Sequence, residues 1–287
     1  MTAMLHGLIE RIAIELRARL SPEAASACAA SPSELIADLT RAGLLQDEAL
    51  IALLLRRADV QRMAGGGRGG RTTLQRWTTD DDAGMAAAAM ALVTARGRGR
   101  DRFGRALIDP SDLPAPLAQG LVIAVAAALG LRCTQPIDPQ VVAAAADLLA
   151  GRPESARVEM LEQAMAEALS DQGRRTPGLL VALAEEGEGP LLAAILAVQA
   201  AIPADEGWSA LLGGADRVAL LLRLAAVPRG EVAAVLAAAG PALGLGDPLR
   251  AIETFDSLED EAVDAARAEL QLPGTYRRAR RIIRRHG

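Results

Sequence analysis

The sequence predicts an all-α protein, and three observations support this fold class. Most apolar residues are Ala and Leu, which favour helices, whereas aromatic residues make up only 2% of the chain. Helix-start signals, in which Ser or Asp precedes Pro, recur along the sequence. No run of β-branched and aromatic residues alternates with the period of two that a half-buried strand shows. We therefore expect an array of short antiparallel helix pairs, HEAT-like or an α-solenoid or bundle, without a sheet.

The first helices are predicted from apolar spacing and from capping residues. Apolar side chains at positions 5, 8, 9, 12, 16 and 20 form one helical stripe. Ser21 and Ser31 each precede a proline at a first helical position, and Glu34 completes a capping box with Ser31. Asp47 opens a further helix, which runs into the glycine-rich segment from Gly65 to Gly70. These signals predict a small helical unit before the glycines.

The glycine-rich segment is the predicted division of the chain, because so many glycines do not hold regular structure. We expect a helical unit over residues 1–63, a Gly/Arg-rich linker or loop over 64–79 and a larger helical domain over 80–287. The motif G-x-x-x-x-G-R-T from Gly65 to Thr72 differs by one residue from a phosphate-binding loop. Arg71 stands where that loop needs Lys, and the motif follows a predicted helix rather than a strand. We interpret it as a mobile loop that binds no phosphate.

Helix starts recur in the second part of the chain. Thr79 with the acidic run Asp80 to Asp82 predicts an N-cap and a first turn that complements the helix dipole. The same role is predicted for the dipeptides Asp109-Pro110, Asp138-Pro139, Thr176-Pro177 and Asp247-Pro248. Residues 154–169 form an amphipathic pattern, with Val158 and Met165 directed inward and Glu162 outward.

Three uncharged segments, residues 113–131, 190–204 and 232–246, are predicted to be buried helices. The first approaches the length of a membrane span, but Pro114 and Pro116 leave only about 15 residues for a helix, roughly 22 Å, which is short of the hydrocarbon thickness. We therefore predict no transmembrane segment.

The two cysteines, Cys28 and Cys133, are far apart and show neither a disulfide framework nor metal-ligand spacing. We expect each to be unpaired and to pack as a small apolar side chain in a reducing compartment. Residues 1–20 carry charges through what would be the apolar part of a signal peptide. The sequence therefore predicts a cytoplasmic protein.

Catalytic and metal-binding patterns are not found in the sequence. His6 and His286 lie near opposite ends of the chain, so no His-x-x-x-His pair exists, and Asp80 to Asp82 are adjacent rather than spaced to converge on a helix face. No G-x-S-x-G motif marks a nucleophile. We predict no catalytic, metal or cofactor residues, no cofactor, and a protein that is not an enzyme.

The last residues carry the strongest charge pattern. Six arginines fall within nine positions, namely Arg277, Arg278, Arg280, Arg281, Arg284 and Arg285. The net charge is −5, so removing these six positive charges leaves −11 on the rest. Together with Arg68 and Arg71, these arginines are the candidate contacts for an anion or a partner.

Two interpretations of this arginine-rich tail remain open. In the structural one, Ile282 and Ile283 pack on preceding helices, while Arg277, Arg281 and Arg285 face water or the acidic residues 259–264. In the functional one, the tail binds nucleic acid, an anionic lipid or an acidic partner. We favour the structural interpretation, because charged runs usually lie on solvated faces.

The stretch from Ala251 to Leu258, its continuation Glu259-Asp260-Glu261 and the later Tyr276-Arg277-Arg278-Ala279 resemble the close of an uncharacterised alphaproteobacterial family known only as a domain of unknown function. The segment from Asp109 to Gly130 is similar to that family as well. The resemblance covers about half of the chain. It implies a helical, repeat-like fold in a Gram-negative bacterium, and it implies no activity.

These observations predict a non-enzymatic protein–protein interaction module that presents a helical-repeat surface to a protein or peptide, by analogy with solenoid scaffolds. The alternative is binding of nucleic acid or an anionic surface through the arginine-rich tail and the Gly/Arg loop. An isoelectric point near 5.3 and the scarcity of aromatic stacking residues count against nucleic acid. The oligomeric state is not predicted.

Overall fold

The computed structural model describes residues 2–28, 30–65, 72–176 and 178–286, with side chains through Arg284. Within these ranges the chain forms seventeen α-helices and two short 3-10 helices, and its only β-type pairing is an isolated bridge between Arg100 and Ala106. The helices are α1 Thr2–Arg17, α2 Pro22–Ala27, α3 Pro32–Arg41, α4 Glu48–Gly65, α5 Thr73–Trp77, α6 Ala83–Arg98, α7 Ala115–Gly130, α8 Asp138–Ala150, α9 Val158–Asp171, α10 Leu179–Glu185, α11 Gly189–Ala200, α12 Ala204–Leu211, α13 Ala215–Leu224, α14 Arg229–Leu243, α15 Pro248–Ser257, α16 Asp260–Gln271 and α17 Gly274–His286. The predicted all-α fold is confirmed.

The helices form two compact units that interleave along the chain. Unit 1 comprises Met1–Gln61 and Val93–Leu161, and unit 2 comprises Arg62–Leu92 and Glu162–Gly287. Most of the glycine-rich segment, residues 66–71 with Arg68 and Arg71, lies outside the described residues. The predicted linker over residues 64–79 therefore stays a prediction.

Unit 1 is built around α7, the uncharged helix predicted to be buried. Helices α1, α3 and α8 pack against α7, and its residues Val122, Val125 and Leu129 have no exposed surface. A 16-residue helix without a charge can be covered on several faces, because no side chain on it requires water. One face of α7 stays exposed, however, where Ile123 is 46% exposed, so the prediction of a buried helix is only partly confirmed.

The expectation that the two cysteines are unpaired is wrong, because Cys28 and Cys133 form a disulfide in unit 1. Cys28 follows α2 and Cys133 follows α7, and the amide of Thr134 donates to the carbonyl of Ala27 at 2.9 Å. This hydrogen bond holds the two backbone segments side by side. A separation of 105 residues in sequence hides a proximity that only the packing of α7 creates. Burial of Cys28 in the apolar core agrees with the prediction.

Unit 2 has α11 at its centre. This helix buries nearly every residue, as its lack of charge predicts, and it contacts α10, α12 and α13. Gly207 allows α12 to approach α11 closely, because a Cβ at position 207 would lie 2.7 Å from Cβ of Ala197. The predicted buried segment 232–246 forms most of α14, which buries only the face that includes Val232, Val235 and Leu236.

The capping predictions are mostly confirmed. The Ser31–Glu34 capping box is present at α3, and Asp82 starts α6 by accepting a hydrogen bond from the amide of Met85 at 2.7 Å. Asp109 caps a 3-10 helix and Asp247 caps α15. Two predictions are wrong: Asp138 lies inside the first turn of α8 rather than before it, and Thr79 is not the N-cap of α6, which begins only at Ala83, with Asp82 before it and no acidic residue in its first turn. The Thr176-Pro177 signal falls partly outside the described residues.

Glu162, which was predicted to face outward on α9, is 3% exposed. That outward placement is therefore wrong.

The lengths and compositions of the helices show whether any of them could cross a membrane. In the described part of the chain, no single helix has both the length and the apolarity needed to cross a bilayer, and α11 and α12 pass that test only together, as a pair bent by 120°.

Candidate functional site

The arginine-rich tail forms helix α17. The backbone N–H of Arg277 donates to the carbonyl of Pro273 at 3.0 Å, which closes the first turn. A helix advances by about 100° per residue, so Tyr276, Ala279 and Ile283 lie on one stripe with Ile282 beside it. The arginines occupy the remaining circumference. We call Tyr276, Ala279, Ile282 and Ile283 the apolar stripe of α17.

Arg277 anchors the start of α17 within unit 2. Its side chain is 8% exposed, and its guanidinium forms an ion pair with the carboxylate of Glu206 on α12. Its Nε donates to the carbonyl of Leu272 at 3.0 Å. The hydrogen bond to Glu206 raises the pKa of the Arg277 guanidinium above its ordinary value. The anchor therefore fixes the position from which the rest of α17 extends.

The predicted packing of this helix is wrong for the isoleucines, which face solvent, whereas Arg277 faces the acidic side chain of Glu206 and Arg281 faces water, as predicted. Ile282 is 54% exposed and Ile283 is 70% exposed. The physical reason is the anchor: the ion pair with Glu206 turns the arginine side of the first turn inward, so the opposite side, which carries the isoleucines, faces outward. The predicted pairing with residues 259–264 also differs, since Asp260 pairs with Arg223 of α13 at 2.9 Å.

The other candidate arginines are distributed around the outside of α17. Arg280 pairs with Glu269 of α16 at 3.0 Å. Arg278, Arg281 and Arg284 are exposed. Arg68, Arg71 and the side chain of Arg285 lie outside the described residues. The structure therefore places six of the eight candidate arginines on one helix, and of the five whose side chains are described it buries one.

Tyr276 is the residue of the site that sequence reasoning missed. It is 55% exposed, and the guanidinium of Arg280 lies 6.0 Å from the centre of its ring. The spacing of Tyr276, Ala279 and Ile283 was visible in the sequence as a helical stripe. The direction in which the stripe points was not visible, because it depends on the contact between Arg277 and Glu206.

The arrangement has a definite chemical character. Arg280 flanks the apolar stripe on one side and Arg278 flanks it on the other, with Arg281 and Arg284 further round the helix. Such a helix presents apolar side chains to a nonpolar environment while its charged side chains reach polar or anionic groups at the edges. Such an arrangement can contact nonpolar and anionic groups at the same time.

A groove of about 500 Å³ in unit 2 is also lined by two arginines, Arg76 and Arg174. Arg76 lies 3.3 Å from Glu186, and Arg174 lies 2.7 Å from Asp80. The hydrogen bond to Asp80 raises the pKa of Arg174. Both positive charges therefore already face carboxylates, and the groove has no concentrated charge with which to hold an anion.

A buried ionic cluster lies inside unit 1. Nη2 of Arg57 lies 3.2 Å from Oδ2 of Asp112 and 3.2 Å from Oε1 of Glu159. Nε of Arg56 lies 3.5 Å from Oε1 of Glu159, and Nη2 of Arg157 lies 3.7 Å from its Oε2. The three guanidinium groups thus surround two carboxylates. A buried carboxylate needs such paired cations to remain charged.

Asp112 is the most enclosed member of the cluster, with a side chain that is 1% exposed. Its Oδ1 accepts a hydrogen bond from the amide of Val158, the first residue of α9, at 3.2 Å. Burial raises the pKa of Asp112 above its ordinary value, although Arg57 acts in the opposite direction. The folded state therefore holds a proton on Asp112 more tightly than the unfolded state does.

This shift predicts a pH dependence of stability. A raised pKa means that the contribution of Asp112 is fully present below its unfolded pKa of about 3.9 and is lost as the pH rises through the folded pKa. The variant Asp112→Asn cannot ionise, so we expect wild type to lose stability relative to this variant as the pH is raised from 4 toward neutrality. Urea denaturation of both proteins across that range measures the difference. A difference that is constant, or that shifts in favour of wild type as the pH rises, contradicts the prediction.

Across the residues that the structure describes, no group of three or more His, Cys, Asp or Glu side chains is arranged to hold a metal ion.

The fold and the site together define an all-α protein that exposes an arginine-flanked amphipathic helix. The chain belongs to the DUF2336 family, described as an uncharacterised protein conserved in bacteria, whose family model matches residues 67–270. This confirms the resemblance to a bacterial domain of unknown function, while the alphaproteobacterial source stays a prediction. Helix α17 begins beyond the matched range. No curated protein and no solved structure matches the chain.

Proposed function

We propose that this protein is a non-enzymatic interaction protein whose docking element is helix α17. The observation that carries the proposal is the exposure of the apolar stripe, above all of Ile283, which is 70% exposed beside a row of arginines. Isolated exposed apolar residues are common on protein surfaces, whereas a continuous stripe with charged borders is typical of a binding face.

This proposal assigns the contact with the partner to helix α17 alone, whereas the sequence predicts contact through the surface of the whole helical array. It also favours binding over catalysis, since the groups on α17 recognise and do not react. Nucleic acid is a poorer match for this helix, because phosphates would meet the arginines and leave the isoleucines in water. The apolar stripe needs a partner with a nonpolar component.

Photo-crosslinking inside bacterial cells tests the docking role. A photoreactive benzoylphenylalanine at position 283 should form adducts in good yield, because the apolar stripe would be covered by its partner. The matched control is position 249, since Leu249 on α15 is 64% exposed and is likewise an apolar residue of unit 2. Equal adduct yields at positions 283 and 249 would refute the proposed function.

A further inference from the structure

We propose that helix α17 lies on the surface of an anionic lipid bilayer, with its apolar stripe among the acyl chains and its arginines among the lipid phosphates. This inference rests on the proposed function and names the partner of the same helix. The partner is identified by charge complementarity and by the distribution of side chains around the helix.

The first argument is the position of the arginines. Arg278 borders the apolar stripe next to Ile282, and Arg280 borders it next to Tyr276. A helix lying in the plane of a bilayer meets headgroups along both of its long edges and hydrocarbon below. One of these borders is already partly neutralised, since Arg280 pairs with Glu269 at 3.0 Å, so the exposed Arg281 and Arg284 are the arginines best placed to reach lipid phosphates. Arginine also extends along apolar surface while its charged end remains with polar groups.

The second argument is the composition of the apolar stripe. Tyr276 combines an apolar ring with a hydroxyl group, and such residues are enriched at the boundary between headgroups and acyl chains. Ile282 and Ile283 supply the deeper apolar contact. Clusters of four or more Lys or Arg on an amphipathic helix are typical of binding to anionic lipids.

The third argument is the charge of the remainder of the chain. Without the six arginines of the tail the protein carries a charge of −11, derived from a total of −5. An anionic bilayer repels such a surface and attracts α17, within the range set by salt screening. The electrostatics therefore direct the protein to the membrane through this helix.

Co-sedimentation with vesicles tests the proposal on the full chain. Vesicles that contain phosphatidylglycerol mixed with phosphatidylcholine should bind the wild-type protein, and pure phosphatidylcholine vesicles should bind it much less. The double variant Ile282→Ser, Ile283→Ser should lower the partition constant about 100-fold, since two apolar side chains no longer enter the bilayer. The double variant Arg281→Gln, Arg284→Gln should lower it about tenfold or more. Leu249→Ser is the matched control and should bind as wild type does.

Several results would overturn the lipid assignment. They include binding to neither kind of vesicle, and binding that survives loss of both isoleucines. Tight binding of a DNA duplex that the arginine variant loses and the isoleucine variant keeps would assign α17 to nucleic acid. If the wild-type protein is a dimer in the absence of vesicles and the isoleucine variant is a monomer, the apolar stripe would instead be assigned to a second copy of the chain.

The two proposals fail in different ways. Protein adducts from position 283 without lipid adducts, together with no vesicle binding, would refute the lipid partner and keep the docking role. Adduct yields at position 283 no higher than at position 249 would refute both. Because Ile282, Ile283, Arg281 and Arg284 are exposed, their variants should keep the wild-type circular dichroism spectrum, so that loss of binding is not loss of folding.

Discussion

Replacing Gly187 with alanine should lower the free energy of unfolding by about 3 kcal/mol, the combined effect of a backbone cost and a steric cost. Gly187 follows α10 with a φ of +71°, in the left-handed region that side chains disfavour. An added Cβ would also lie 2.5 Å from the carbonyl oxygen of Met63 and 3.1 Å from Cα of Ala64. Both of those atoms belong to backbone, which cannot move away as the end of a flexible side chain can.

The contact at Gly187 matters because it joins distant parts of unit 2. Next to it, the carboxylate of Glu186 accepts hydrogen bonds from the amide of Thr73 at 2.7 Å and from its hydroxyl at 2.8 Å. The last turn of α4 and the first residue of α5 are thus both held to the end of α10. The Cβ of alanine at position 187 would force these segments apart.

Gly244→Ala is the matched control for the backbone cost. Gly244 follows α14 with a φ of +70°, and no heavy atom lies within 4 Å of the position its Cβ would take. This variant should therefore lose only about 1–2 kcal/mol. Chemical denaturation of wild type and both variants gives the comparison. Equal losses at Gly187 and Gly244 would show that the contact with the Met63 carbonyl adds no steric cost to the free energy of unfolding.

Much of the fold could be predicted because the signals are local. The capping box of Ser31 and Glu34 involves neighbours in sequence, and its hydrogen bonds form in any context that permits the helix. The burial of α11 follows from the absence of charge along its segment. For such features the sequence contains nearly all the information that the structure uses.

The features that escaped prediction depend on contacts between distant residues. The disulfide requires α7 to bring Cys133 beside Cys28, and the spacing of the two cysteines does not indicate this. Asp112 lies just after the predicted helix start at Asp109-Pro110, and nothing in its local sequence indicates that Arg57 of α4 and Glu159 of α9 enclose it. Helix propensity and periodicity contain no information about which charged residue will find a partner.

The orientation of α17 shows the same limit at the candidate site. Its amphipathic pattern was readable and led to the expectation that the isoleucines face inward, but the pattern does not say which side of the helix meets the rest of the protein. The choice is made by Glu206, a residue of α12 that is far away in sequence. A single buried ion pair thus converts a helix that could have covered the core into one that exposes its apolar stripe.

The variant Arg57→Met should lower the free energy of unfolding by about 3–5 kcal/mol at neutral pH, because it removes the cation shared by two buried carboxylates. Methionine keeps an apolar stem of similar length, so the loss reports the charge rather than the packing. Arg57 is 11% exposed and Asp112 is 1% exposed, so water cannot replace the missing guanidinium. Glu159 retains Arg56 and Arg157 nearby, which leaves Asp112 as the carboxylate without compensation.

The matched control is Arg250→Met, which breaks an exposed ion pair. Arg250 and Asp216 lie 3.4 Å apart with side chains that are 69% and 63% exposed, so this change should alter stability by no more than about 1 kcal/mol. The effect of Arg57→Met should also shrink in mild acid, because a protonated Asp112 no longer needs a cation beside it. Urea denaturation at neutral pH and in mild acid measures both effects. A loss no larger than that of Arg250→Met, or a loss that grows as the pH falls, would mean that Arg57 does not stabilise the buried carboxylates.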